Sequence, residues 1–412
     1  MSRQTAWRIW LPGSRHEIAA VRRHRARHCS NLGLGKLVLF PGGAGRANRC
    51  GYRLVAGLGC RRRIDRLAGL IAPRVGSLIE RKGGRPVLAA SSLLYASGLA
   101  GIGLAPTLPV YLLAWVVLGV GMGTGLYDAV FAALGKLYGK EARTPITNLT
   151  LFGGFASTVC WPLSAFLAET VGWRGACFVY AGLHLPVSLP LQMAAMPRLW
   201  ALPKSDAAVG AATQKPQDAR MPWHQYLTFA LLALVLTISA GIGSIVVVHL
   251  LIFLQAKGVT FAEAVTLGTL FGPAQVGARF VERIFGERYH PIWTMVVSCG
   301  LMAAGLLLLV VTFPILAVAI VIYAGGYGIM WIARGTLPLA LFGPTRYATL
   351  MGRLAFPSLI VQALAPSAGA LVIESLGAGT TVAMLTAFAI ANAVLVGLLW
   401  AICRRARNEA VT

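Results

Sequence analysis

The chain has 412 residues, of which 57% are hydrophobic and only 12% charged, with a formal net charge of +24. A soluble globular chain is about a quarter charged, so this composition excludes a cytosolic enzyme, a disordered protein and a secreted disulfide scaffold. The class is an all-α polytopic membrane protein, and at about 20 apolar residues per crossing the chain has room for roughly a dozen crossings.

Residues 1–66 do not fit that class. They carry 15 Lys and Arg against two acids, Glu17 and Asp65, and their best apolar run, 37–41, is five residues long. A central Arg costs roughly 2.5–3.5 kcal/mol even on the lenient insertion scale, so Arg61-Arg62-Arg63 has no place in hydrocarbon. Arg, Gly, Ala, Pro and Cys are what a GC-rich gene yields when read out of frame. The expectation is an aberrant basic leader, with the proper frame resuming near Leu67. An Arg-rich organelle transit peptide and a true basic tail on a shortened protein are the competing readings. A nucleic-acid arm is not expected, because nothing else in the chain faces a soluble polymer.

From Leu67 the chain becomes a series of apolar runs separated by short polar turns. A half-span at 67–80 is followed by ten predicted spans: 86–105, 109–137, 143–168, 174–196, 223–256, 260–284, 290–312, 314–342, 346–374 and 378–402. Lys and Arg gather in alternate turns: Arg81, Lys82 and Arg85; Lys136, Lys140 and Arg143; Arg283 and Arg288; Arg346; and Arg404, Arg405 and Arg407. The opposite turns carry little beyond Arg174 and Lys257. Basic loops stay in the cytoplasm, which puts the 81–85 turn and the C-terminus there; a bacterial inner (plasma) membrane is the expected location.

The long polar loop at 197–221 divides a first bundle, 67–196, from a second, 222–403, with a short tail at 404–412. The halves echo each other. Gly119, Gly121, Gly123 and Gly125 precede Asp128, 19 residues after Pro109; Gly325, Gly326 and Gly328 precede Arg334, 20 residues after Pro314. Glu80-Arg81-x-Gly83 is matched by Glu282-Arg283-x-x-Gly286. Such order is the mark of an internal structural repeat.

Gly76-x-x-x-Glu80-Arg81-x-Gly83-x-Arg85 resembles the G-x-x-x-D-R-x-G-R-R/K loop of the major facilitator superfamily, with Glu in place of Asp and Gly84 in place of a basic residue. Gly172-Trp173-Arg174 is similar to another of its turns, and the stretch from Gly277 through Arg279, Glu282 and Arg283 resembles the second-half copy of the loop. The resemblance covers about 67–402. It implies twelve helices in two pseudo-symmetric bundles, with helix 1 and part of helix 2 missing or replaced here, and alternating access by a secondary transporter. Asp128 would then be an inner-gate acid paired with Arg81 or Arg85, or else a cavity residue.

Other intramembrane polar residues are candidates for a substrate or proton cavity. Arg334 offers a guanidinium fork to an anionic group or to a gate partner. Arg279 and Glu282, three apart on one helix face, are expected to pair with each other. Gln275 sits one turn from Arg279. His249 could titrate in proton coupling or simply pack through a hydrogen bond. Asn148 and Trp161 put polar and aromatic groups on a cavity helix. The seven cysteines form no CxxC, and no nucleotide-binding or hydrolase signature occurs; the expectation is no metal, no cofactor and no enzyme. The function expected is proton-coupled efflux of a small organic solute by a monomer in the bilayer, with a non-transporting remnant as the alternative.

Overall fold

Hydrocarbon offers the backbone no hydrogen bonds, so an apolar run that crosses it must satisfy its own N–H and C=O groups as a helix. The computed structural model describes residues 60–196, 223–311 and 315–409; among them are thirteen α-helices and no strand. The first half holds α1 (Cys60–Lys82), α2 (Gly84–Leu104), α3 (Leu108–Gly125), α4 (Tyr127–Tyr138), α5 (Arg143–Thr170), α6 (Gly172–Leu183) and α7 (Leu189–Ala195). The second holds α8 (Trp223–Gln255), α9 (Phe261–Thr269), α10 (Phe271–Phe285), α11 (Pro291–Val310), α12 (Leu316–Phe342) and α13 (Tyr347–Glu409). The leader before Cys60 and the linker at 197–221 lie outside the described residues.

Seven helical stretches among the described residues are long and apolar enough to cross a membrane. Two of them, 108–156 and 347–404, have the length of two crossings each. The predicted span at 260–284 is not among the seven, because it breaks at Leu270 into α9 and α10. Pro273 explains the break: with no N–H it cannot bond the carbonyl of Thr269. Pro186 acts in the same way between α6 and α7, where five residues, His184–Ser188, widen into a π-turn. The predicted span at 109–137 is also interrupted, at Leu126, whose extended ψ of −178° ends α3 and starts α4. The predicted half-span begins earlier than its apolar pattern, at Cys60. Near the other end of the chain, Gly377 (φ 83°) divides α13 into the two predicted crossings.

Packing differs between the two ends of the molecule. At the end bearing the 81–85 turn, the halves share one core. Ile79, Val87, Leu88, Phe131, Leu134 and Ile146 from the first half join Leu337, Tyr347, Met351 and Leu354 from the second. At the opposite end the cores are separate: Ile102, Ala114 and Leu118 in the first half, and Val246, Leu254, Leu306 and Tyr323 with their neighbours in the second. Among the described residues, the halves therefore share a sealing core at one end only.

Backbone proximity makes that seal. A Cβ added at Gly76 would lie 2.3 Å from the carbonyl oxygen of Ala348, and one at Gly352 would lie 2.5 Å from that of Ala72. Helices α1 and α13 thus touch backbone to backbone, as small residues allow in membranes. The turn that follows is equally specific: Gly83 has φ 82°, a region L side chains avoid.

Candidate functional site

Several polar ties join the halves among the described residues, three of them through Asp128, Arg143 and Arg283. Helix α4 starts at Tyr127, so Asp128 lies in its first turn, where the helix dipole favours a negative charge. Its carboxylate accepts two hydrogen bonds from Arg334 on α12, Nε to Oδ1 at 2.7 Å and Nη2 to Oδ2 at 2.9 Å. Arg334 is 2% exposed, and its Nη2 also donates to Ser358 Oγ on α13 at 2.7 Å. This bidentate fork is the strongest geometry such a pair adopts. The expected partners of Asp128, Arg81 and Arg85, do not take this place: Arg81 is exposed and Arg85 half-buried on the turn. Asp128 and Arg334, read from sequence as counterparts in the two halves, hold each other across them.

The second tie is Arg143 at the start of α5. It donates to the carbonyl oxygens of Gly286 and of Tyr289, the latter at 2.7 Å, and stands 3.8 Å from Glu282. The third is Arg283, whose Nε donates to Asn148 Oδ1 at 2.9 Å. Replacing Arg143 with Ala removes two charge-assisted bonds worth roughly 1.5–3 kcal/mol apiece when buried and less at this half-exposed site. A cysteine placed at the buried Ala142 is expected to react several-fold faster with a polar thiol reagent in the Arg143→Ala protein. An unchanged rate would show that the tie does not hold the seam.

The loop-motif acids find their partners on other helices. Glu80 accepts from Lys136 on α4, at 3.3 Å through Oε1 and also through its backbone carbonyl. Glu282 accepts from Thr294 on α11 at 2.9 Å and faces Arg143, not Arg279. An intrahelical pair is worth only about 0.2–0.5 kcal/mol, and tertiary partners outcompete it here. Gly277 has open space where a Cβ would point.

Arg279 is left in an unusual position. It is 3% exposed, and all its bonds go to neutral acceptors. Nε donates to the Gly328 carbonyl at 3.0 Å, Nη1 to the Thr150 carbonyl at 2.8 Å, and Nη2 to Gln275 Oε1 at 3.3 Å. No carboxylate is among them. Tyr127 stands beside the guanidinium, and Gly154 packs so closely that a Cβ there would lie 2.6 Å from Nη1.

Aromatic rings stand beside both Arg279 and Arg334. Tyr323, Tyr327 and Trp331 recur every four residues on one face of α12. Tyr323 and Tyr327 have centroids 6.4 Å apart, and Tyr327 and Trp331 6.2 Å. Tyr127 reaches Trp331 from the other half at 5.3 Å and stacks on Phe131 at 5.4 Å. The Arg334 guanidinium lies 5.6 Å from the Trp331 ring centroid. This stripe, together with Tyr127 and Ser358, was not singled out in the sequence; the i, i+4 aromatic spacing leading to Arg334 was the available signal.

The remaining candidates are dispersed. His249 is buried on α8, and its Nε2 shares a hydrogen bond with the Pro366 carbonyl at 2.9 Å. Trp161 belongs to α5, and its side chain lies outside the described residues. Among the described residues no cluster of His, Cys, Asp or Glu could hold a metal ion.

The architecture is that of a helical membrane protein whose two halves meet around a charged, aromatic centre. The Major Facilitator Superfamily profile matches residues 67–286, more than half of the chain, and this protein belongs to that family. The match begins at Leu67. A relative in Thermoproteus tenax, described as an uncharacterized 38 kDa protein in 23S RNA operon, is 29% identical over 78% of this chain and 79% of its own length. The gentisate transporter of Corynebacterium glutamicum is 25% identical over 62% of this chain and 58% of its own. Monocarboxylate transporter 3 of Rattus norvegicus is 34% identical over 27% and 23%. This chain therefore spans less than two thirds of either of those two transporters. Among solved structures, the human organic anion transporter MFSD10 aligns with TM-score 0.67 at 16% identity, covering 92% of this chain and 90% of its own. The Escherichia coli fucose:proton symporter FucP aligns with TM-score 0.59 at 14% identity, covering 85% and 93%. These likenesses show the fold: two pseudo-symmetric bundles of a transporter of this superfamily.

Proposed function

We propose that this protein is a proton-coupled secondary transporter of small organic anions. The observation that carries the reading is Arg279, a guanidinium 3% exposed whose acceptors among the described residues are all neutral. A buried charge without a counter-charge is costly, and in a membrane protein such a residue faces a pathway or a ligand. A solute carboxylate supplies the missing charge and matches the planar fork. Support comes from the relatives and neighbours whose names specify monocarboxylate, gentisate and organic anion transport.

Loss of the negative charge at Asp128 would free Arg334 and loosen the tie across the halves. A proton and a monocarboxylate moving together transfer no net charge, so the two concentration gradients set the direction, and efflux results when the anion is abundant inside. With the 81–85 turn at the cytoplasm, the sealed end faces inward and the present form is open outward.

Purified full-length protein in liposomes tests the reading. Radiolabelled benzoate and lactate are expected to enter vesicles that are alkaline inside faster than protein-free controls do, without dependence on a potassium diffusion potential. A uniform failure to move carboxylates, with transport of a cationic or neutral solute instead, would overturn it. The comparisons do not favour the alternative of a non-transporting remnant.

A further inference from the structure

We infer that the solute is an aromatic carboxylate, its carboxylate on Arg279 and its ring against Tyr127 and Trp331. The inference rests on the anion reading above and narrows it. Six rings, Phe131, Tyr127, Trp331, Tyr327, Tyr323 and Phe271, form a connected series with centroid separations of 5.3–6.4 Å. Phe131 at one end is buried, as are Tyr323 and Tyr327 in the interior. Phe271 at the other end is half-buried, as are Tyr127 and Trp331. Of these, Tyr127 and Trp331 are the two rings that meet from opposite halves.

Position fixes what these surfaces can recognise. Tyr127 stands beside the Arg279 guanidinium. An acid whose carboxyl sits directly on a planar ring therefore places that ring within reach of Tyr127 when its carboxylate bonds Arg279. Gln275, already bonded to Nη2, adds an amide at the rim for a ring hydroxyl. Stacked and edge-to-face rings attract beyond the area they bury, because ring edges are positive and faces negative. A saturated ring of similar size gains only the burial.

Trp331 also links the ring site to the tie. Arg334 lies over the Trp331 ring while it holds Asp128. A guest ring that takes over the Tyr127–Trp331 contact shifts Trp331 beneath Arg334, so occupancy is felt at the residue pair that closes the seam.

The test uses full-length protein in liposomes with benzoate and cyclohexanecarboxylate, two acids of equal charge and similar size. In competition for transport, benzoate is expected to bind about 2- to 10-fold more tightly. Trp331→Leu and Tyr127→Leu should bring the ratio of the two affinities toward one, and Trp331→Phe should keep most of the preference. Equal affinities in the unaltered protein would overturn the inference, as would a preference untouched by both leucine variants. If a leucine variant fails to fold, the unaltered protein's ratio and the Trp331→Phe protein decide. Should both acids be carried equally and both be lost in Arg279→Gln, the ring assignment fails and the anion reading stands. Should neither acid be bound, and Arg279→Gln change nothing, the anion reading itself fails.

Discussion

Asp128→Asn is expected to lower turnover at least tenfold while solute affinity stays within about twofold. The carboxylate gives both oxygens to Arg334 at 2.7 and 2.9 Å, and its side chain is only 16% exposed. Asparagine keeps one acceptor and loses the charge. Arg334 would then remain in the seam with Ser358 as a neutral partner. Removing one member of a buried pair costs about 3–5 kcal/mol, and a third of that already shifts the balance between two states about tenfold. The sealed state should be depopulated, and the cycle stalls because every turnover returns through it. Affinity should hold because the bonds of Asp128 go to Arg334, whereas Arg279 has separate acceptors. A large affinity loss with turnover preserved would move Asp128 into the solute site. The exchanged pair, Asp128→Arg with Arg334→Asp, should recover part of the activity. Full recovery is not expected, because residue 128 lies in the first turn of α4, where a cation opposes the helix dipole.

The chemistry of this protein was more legible than its pairings. Lipid imposes long apolar runs, so the helical membrane class, the family and the approximate course of many spans could be read from residues alone. Asp128 and Arg334 were also visible, since an ionisable residue inside such a run stands out. Their bond was not, because 206 residues separate them and no local rule connects them. The same limit misdirected Arg279 and Glu282. Spacing on one helix face made them plausible partners, but Glu282 turned to Thr294 and Arg143 on other helices. Prolines 186 and 273 interrupt spans that were read as continuous, whereas the break at Leu126 has no proline; it lies where Gly125 packs so tightly on α2 that a Cβ would meet Ser91 Oγ at 2.4 Å. Tertiary fit decided that boundary.

Arg279→Gln is expected to abolish carboxylate transport, and Arg279→Lys to retain a small fraction of it with a KM raised at least tenfold. Glutamine removes the one buried positive charge whose described acceptors are all uncharged, while remaining long enough to bond some of them. The fold should therefore survive, and the midpoint of thermal unfolding should fall little or rise, since a costly buried ion has been taken out. That combination of lost binding with preserved or increased stability is what a ligand-binding charge predicts and a structural charge does not. Lysine keeps the charge but has no planar fork, so it can satisfy either the Thr150 and Gly328 carbonyls or a solute carboxylate, but not all of them together. The measurement is carboxylate-induced stabilisation in detergent alongside flux in liposomes, because a ligand that binds the folded state raises its stability by mass action. Unaltered protein should gain stability with millimolar benzoate and the glutamine variant should not. If Arg279→Gln unfolds the protein while Arg279→Lys transports normally, Arg279 is a packing residue and the solute's charge is read elsewhere.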